Sequence, residues 1–271
     1  MYDDLACSLP ESIDRNAILE PLDRVLDPEL DESILKLGFV QSVEADEGLL
    51  TITLRLPTYW CAPNFSYLMV EDIRRELSGV ENVRQVHVRL QDHFAADEIE
   101  RGVNSGKLFT DAFPGEGNDN LKSLRDLFLR KGYLKRQEGL LRELRNAGLS
   151  FAQIAELRID NVHVDQGSCR VEHATAGKLQ LGPDDFAQRY LERRRKLGID
   201  SSPGAPLIVD LKGQPVSATK LEQYFVYART VRVSLDANGS LCGALLDARH
   251  REKDAIPDHE LNTKSEHVRH G

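Results

Sequence analysis

Hydrophobic and polar positions along the chain change period several times, and each change marks an element. Near the start, Ile13, Ile18, Leu22 and Val25 recur at roughly helical spacing. Ser8-Leu-Pro-Glu11 ahead of them is a capping-box pattern with proline in the first turn, which predicts a helix from about residue 9 to Asp27-Pro28. Asp31 is placed to cap a short helical turn over 32–37, closed by Gly38. The period then drops to two. Residues 39–43 and 49–56 read as strands, the second with Leu50, Ile52, Leu54 and Leu56 on one face and Thr51, Thr53 and Arg55 on the other. The polar link 44–48 ends in glycine and suits a hairpin, and Pro57 stops the second strand. Helical spacing returns from Pro63 or Asn64 to Leu77 through Phe65, Leu68, Met69 and Ile73, and Val83, Val86, Val88 and Leu90 mark a third strand. Helix–strand–strand–helix–strand predicts a compact α+β domain, a small α/β sandwich-like unit over 1–104.

Beyond Asp92 the pattern loosens. A short helix fits 97–103, and the turn-rich stretch 105–120 reads as a linker. A mostly helical second domain with a small sheet follows over 121–250. Its elements are a long basic helix over 121–145 with a break near Gly132, a helix capped by Ser150, and paired strands over 159–163 and 168–173. A basic helix over 186–196, a strand over 206–210 and a helix over 217–231 complete it. The polar residues 251–271 carry no hydrophobic pattern and read as a disordered tail.

Charge and composition then exclude classes of function. No uninterrupted apolar run approaches the ~18 residues of a spanning helix, and the acidic start lacks a signal-peptide pattern. A cytoplasmic protein with no membrane partner is expected. Residues 1–100 hold 21 acidic against 8 basic side chains, a balance of −13, which argues against nucleic-acid binding there. The remainder balances at +4. Cys7, Cys61, Cys169 and Cys242 are scattered without a Cys-x-x-Cys pair, which excludes a zinc ribbon or thioredoxin motif and argues against a cluster ligated wholly by one chain.

Cys61 has the setting of a reactive thiol. It lies in the turn Pro57-Thr-Tyr-Trp-Cys-Ala-Pro63, between a strand and the start of a helix, beside the only tryptophan, Trp60. Unpaired N–H groups and the dipole at a helix N-terminus favour negative charge on sulfur, the form that attacks or binds metal. The alternative is a small buried hydrophobe, the reading that suits Cys7, Cys169 and Cys242.

Val25-Leu-Asp-Pro-Glu29, then Ser33-Ile-Leu-Lys-Leu-Gly-Phe-Val40, an alternating strand and Thr58-Tyr-Trp-Cys-Ala-Pro63 together resemble the SufT/PaaD-like family of metal–sulfur cluster assembly domains, over about residues 15–92. Ala62 stands where that family has proline directly after the cysteine, and the Pro-Thr-Tyr-Trp lead-in is bulkier, which suggests a more occluded site. The resemblance implies Cys61, Asp27 and Glu29 as metal-binding residues, with Thr58, Trp60 and Pro63 supporting them. It implies a non-enzymatic accessory protein that carries iron or an iron–sulfur cluster transiently and delivers it to a client metalloprotein, an oxygenase component among the candidates. A homodimer would let two chains share the cargo.

In the second half, residues 140–165 look like a helix-turn-helix running into strands, similar to the start of a tyrosine-recombinase catalytic domain. Ser150 stands at the position of the catalytic arginine there, Lys178 matches the hairpin lysine, and no His-x-x-Arg box or nucleophilic tyrosine follows. Strand cleavage is therefore not expected. Arg189, Arg193, Arg194 and Arg195 on the basic helix are candidate contacts for a partner or nucleic acid. The alternative function is a DNA-binding regulator with a redox- or metal-sensing cysteine.

Overall fold

The computed structural model describes residues 2, 5–107, 109–113, 118–165, 168–182 and 185–255, with backbone alone at 118–120, 185, 250 and 252–255. The chain forms two compact units. Met1–Lys122 and the described residues from Asn238 onward make the first, and Ser123–Ala237 make the second. The expected α+β class holds, with an α/β unit first and a largely helical part after it.

The first unit is built on a four-stranded sheet of β1 (Ala6–Ser8), β4 (Val40–Asp46), β5 (Leu49–Arg55) and β6 (Gln85–Gln91), in the order β1-β4-β5-β6. β4 and β5 pair antiparallel through a turn whose Glu47 and Gly48 both take positive φ, 44° and 81°. That is the geometry two-residue hairpins prefer, and glycine adopts it without strain. β5 and β6 pair in parallel, so the connection must cross the sheet, which α2 (Pro63–Leu77) does. The alternation read from the sequence is the burial pattern seen: Leu50, Ile52, Leu54, Val86, Val88 and Leu90 are buried. They pack with Met69, Val70, Ile73 and Leu77 of α2 and with Ile18 and Leu22 of α1 (Arg15–Asp23) in one core. Each such side chain contributes roughly 1.5–3 kcal/mol by leaving water.

Three local expectations give way. The Ser8 capping box does not start the first helix, because residues 6–8 pair with 42–44 as an edge strand. Asp14 caps α1 instead, its carboxylate accepting from the Asn16 N–H at 3.0 Å. The turn expected over 32–37 forms only in its later part, the Leu37 N–H donating to the Ser33 carbonyl at 2.9 Å and Gly38 closing it at φ 71°, while its first two residues are strand. Leu26–Asp27 and Glu32–Ser33 pair as a miniature hairpin, β2 and β3, whose loop 28–31 holds Asp31 at φ 53°. α3 (Ala96–Asn104) is the expected short helix, but part of the expected linker is helical too: α4 (Phe109–Ala112) lies in the first unit, with Phe109 buried in its core. Residues 114–117 lie outside the described residues.

In the second unit α5 (Asn118–Asn146) runs on through Gly132 without the expected break. Ser150 caps α6 (Phe151–Glu156) with a complete capping box, its hydroxyl accepting from the Gln153 N–H while the Gln153 side chain accepts from the Ser150 N–H. A three-stranded sheet of β7 (Val162–Asp165), β8 (Ser168–His173) and β9 (Gly177–Gln180) follows. The expected strand over 206–210 makes only isolated bridges, Arg158 to Pro206 and Val209 to Pro215. α7 (Asp185–Lys196) and the first half of α8 (Ala218–Ala255) complete the unit.

The second half of α8 belongs to the first unit. Gly239, Cys242, Leu246 and Arg249 repeat at three- and four-residue spacing, one face of the helix. Leu246 is buried against Gly38, where a Cβ would meet it at 3.7 Å, and Leu30 approaches Gly239. Arg249 donates to the Leu56 carbonyl at 2.6 Å and the Asp92 carbonyl at 3.0 Å. No loop interrupts the helix where it changes unit, so the hydrophobic pattern places no boundary there. α8 reaches Ala255, and the remainder of the expected tail, 256–271, lies outside the described residues.

Candidate functional site

Cys61 sits where the sequence placed it, one residue before the Ala62 N-cap of α2, with Pro63 as the first helical residue. Proline at that position costs no hydrogen bond, because the first-turn N–H groups have no helical partner. The Cys61 N–H donates to the Thr58 carbonyl at 3.4 Å, closing a tight turn, and the Thr58 hydroxyl lies 3.4 Å from the sulfur. Thr58 thus fixes both the backbone and the thiol. Cys61 is half-buried. Tyr59 and Trp60 do not occlude it as their bulk suggested. They are 46% and 73% exposed and form an aromatic group with Phe94, which is 42% exposed. The Phe94 N–H donates to the Tyr59 carbonyl at 3.1 Å and ties the two segments together.

His93 is the residue that sequence reasoning missed. It is buried, and Nδ1 accepts from the Ala95 N–H at 3.2 Å, which puts the ring proton on Nε2. Nε2 then donates to the Cys61 carbonyl at 2.7 Å, with the Ser66 hydroxyl also 3.2 Å away. Burial, opposed by the Cys61 carbonyl and helped by Arg249, pushes the imidazole below its usual range. A histidine 32 positions from the cysteine leaves no spacing signal, and only the pairing of β5 with β6 brings it to the turn.

Asp27 lies at the end of β2 and is 8% exposed. Its carboxylate accepts from the Leu30 N–H at 2.8 Å across the proline turn. Burial pushes its acid up to about 6, the Glu29 charge adding to this and the Leu30 and Glu29 N–H groups opposing it. Glu29 is half-buried and accepts from the Asn238 side chain of α8 at 3.5 Å.

The second half of α8 adds a group that the sequence gave no reason to join to this site. The Cys242 thiol is half-buried, and Asp27, Cys61 and Glu29 all lie close enough to act on its charge. Burial first, then these three neighbours in that order, push it up to about 11. Among the described residues no three His, Cys, Asp or Glu side chains gather as a ligand set. By type, the two sulfurs are soft donors and the Asp27 carboxylate a hard one.

The basic helix behaves differently from its charge pattern. Arg194 is fully buried, donating from Nε to the Asp200 carbonyl at 2.7 Å and from one terminal nitrogen to the Pro206 and Leu207 carbonyls at 2.8 and 2.9 Å. Arg193 is 8% exposed. Arg194 is therefore an internal brace for the segment after α7, not a contact residue, while Arg195 is exposed and Arg189 half-buried. Lys178 of the recombinase-like pattern forms an exposed ion pair with Glu172 at 2.9 Å.

The sheet crossed by α2, with a thiol at the helix entrance, falls almost wholly within the part of the chain that has known relatives. Residues 15–88 match the family described as "Iron-sulfur cluster assembly protein". Over 96 residues, 34% of this chain and 91% of the relative, the chain is 30% identical to the Fe-S protein maturation auxiliary factor YitW of Bacillus subtilis (strain 168). No solved structure matches. The chain belongs to the iron–sulfur cluster assembly protein family, which gives it a role in iron–sulfur protein assembly and maturation. No helix among the described residues is long and apolar enough to cross a membrane. The family match ends before β6 is complete and does not reach the second unit.

Proposed function

We propose that the chain accepts iron or an iron–sulfur cluster at Cys61 and passes it to a client metalloprotein, acting as a carrier and not as an enzyme. The observation that carries this reading is the Cys61 turn itself. Its thiol is positioned by Thr58 and by the His93 bond to its carbonyl, and it stands beside exposed Tyr59, Trp60 and Phe94. A permanent site would enclose its metal in a full ligand set, whereas a transfer site keeps positions open for the next acceptor. The exposed aromatics beside the thiol are the side chains that protein interfaces favour, and they form the surface on which a client docks.

Asp27 has a proton affinity near neutral, so it can take up the proton that a thiol loses when it binds metal. Glu29 adds negative charge at the same edge. An oxygenase component is the client class, the second unit supplies further recognition of it, and a homodimer brings two Cys61 thiols to one cluster. The maturation role in the name of the bacterial relative supports the general reading.

The test is anaerobic reconstitution with iron and sulfide, comparing the natural chain with Cys61→Ala for bound metal and for activation of an apo-client. The natural chain is expected to retain cargo and activate the client, and the variant to lose both. Equal metal binding and equal activation by the two chains would refute the reading.

A further inference from the structure

Residues 1–100 are strongly acidic, yet three of the 8 basic side chains there, Arg74, Arg75 and Arg84, line one cleft of about 380 Å³. The cleft lies where the end of α2 meets the start of β6. Leu77, Val83 and Val86 line it too, so guanidinium groups and hydrocarbon share one cavity.

The fold holds each guanidinium in place. Arg74 donates to the Val103 carbonyl of α3. Arg84 lies across Gly48 in the β4–β5 turn and donates to the Glu47 carbonyl. Among the described residues neither has a carboxylate at ion-pair distance. Arg75 differs, since Asp72 at 2.7 Å and Glu76 at 3.7 Å offset its charge, and Glu76 is shared with Arg24 at 3.1 Å. Arg74 and Arg84 thus bring two charges and spare N–H groups, because a guanidinium carries five and each carbonyl takes one. Their positions are set before a ligand arrives, which lowers the ordering cost of binding. The negative end of α2 opposes an anion, but its carbonyls are engaged. The Arg75 carbonyl accepts from the Ser78 N–H and hydroxyl, and the Leu77 carbonyl from the Val80 N–H.

The edge of the sheet adds a backbone donor. The Gln85 N–H donates to the Gly48 carbonyl, so its backbone groups face β5 and those of Val86, Val88 and Leu90 face outward. α3 covers two of the three. Asn104 exchanges bonds with Val88 at 3.1 and 3.0 Å, and the Glu100 carboxylate accepts from the Leu90 N–H at 2.6 Å. Among the described residues no side chain covers Val86 in this way, and Val86 lines the cleft.

We propose that this cleft binds a small organic oxyanion, a phosphate ester or a carboxylate. Its charged group lies on Arg74 and Arg84 and its apolar body against Leu77, Val83 and Val86. Guanidinium forks match the oxygens of both groups, and the apolar side distinguishes an organic anion from a bare one. The site stands at the opposite end of α2 from Cys61, roughly 22 Å along the helix, and nothing in it depends on that thiol.

The test is nuclear magnetic resonance on the isotope-labelled full chain, titrated with phenyl phosphate, benzoate, inorganic phosphate and phenol. The amides of Gly79 and Val86 and the Nε–H signals of Arg74 and Arg84 report on the cleft. Phenyl phosphate or benzoate is expected to shift them saturably and to bind about tenfold or more tightly than inorganic phosphate. Phenol, which lacks the charge, is expected to bind more weakly than either, and the tighter of the two anions assigns the charged group of the ligand. Arg74→Ala and Arg84→Ala should each weaken binding by about tenfold or more. Arg84 is exposed, so its variant leaves the core intact. Arg89→Ala, which removes an exposed charge from the opposite face of β6, should leave binding unchanged. Equal affinity for inorganic phosphate and phenyl phosphate, or equal weakening by Arg84→Ala and Arg89→Ala, would reduce the effect to general surface charge and overturn the proposal. The absence of saturable shifts would overturn it as well.

Discussion

Asp27 offers the sharpest quantitative test, because one substitution separates its charge from its shape. The folded chain holds this acid near 6 against a reference of 3.8. A raised acid binds its proton more tightly when folded, so its contribution to stability is present below the unfolded value and is lost as pH rises through the folded one. Integrating the two titrations gives a loss of about 1.6 kcal/mol by pH 5 and about 3 kcal/mol by pH 7.5, an increment of about 1.4 kcal/mol between them. Asp27→Asn keeps an oxygen for the Leu30 N–H and removes the charge. The variant should therefore be more stable than the natural chain, and its advantage should grow by about 1.4 kcal/mol from pH 5 to pH 7.5. Urea unfolding followed by the fluorescence of Trp60, the only tryptophan and a residue of the first unit, measures this. Groups that do not sense the Asp27 charge titrate alike in both chains and cancel in the difference. A difference that stays flat across this window, or shrinks as pH rises, would refute the buried, high-affinity acid. The same variant should load cargo less well, since stability and function pull in opposite directions at this position.

Other perturbations follow from the same geometry. His93→Ala removes the acceptor of the Ala95 N–H and the donor to the Cys61 carbonyl, and should destabilise the first unit by roughly 1–3 kcal/mol. It should also speed alkylation of Cys61 as the turn loosens; an unchanged alkylation rate would show that the histidine does not position the thiol. Because the folded imidazole is held below its usual range, the natural chain should lose stability as pH falls below about 6.5, and a chain with His93→Gln should lose less of it. In the second unit Arg194→Ala strips donors from three carbonyls and should lower stability by about 3 kcal/mol or more, whereas Arg195→Ala should move it by less than about 0.5 kcal/mol. Thermal unfolding of the two variants side by side checks this, and equal melting temperatures would overturn the assignment of Arg194 as a brace.

The β4–β5 hairpin and α2 were legible in the chain because their signals are local: alternation, a Glu-Gly turn and a proline at the helix start. The segment 6–14 was misleading, since Ser8-Leu-Pro-Glu11 satisfies a capping rule that pairing of residues 6–8 with β4 overrides. Asp27-Pro28-Glu29 likewise marked a turn correctly, but whether a helix or a hairpin closes it depends on the pairing of Leu26 with Ser33. The charge run of α7 suggested a surface. Periodicity does not reveal that three carbonyls of a later segment converge on Arg194.

Residue types at short range thus determined that this chain has an α/β first unit, an amphipathic helix opened by Cys61-Ala-Pro63, and the motif string of its family. Tertiary structure decided which distant groups join that cysteine. His93 arrives through strand pairing and Phe94 through the bond to Tyr59. Each depends on residues 30 or more positions from Cys61 meeting across a core, and no local period along the chain records such a meeting.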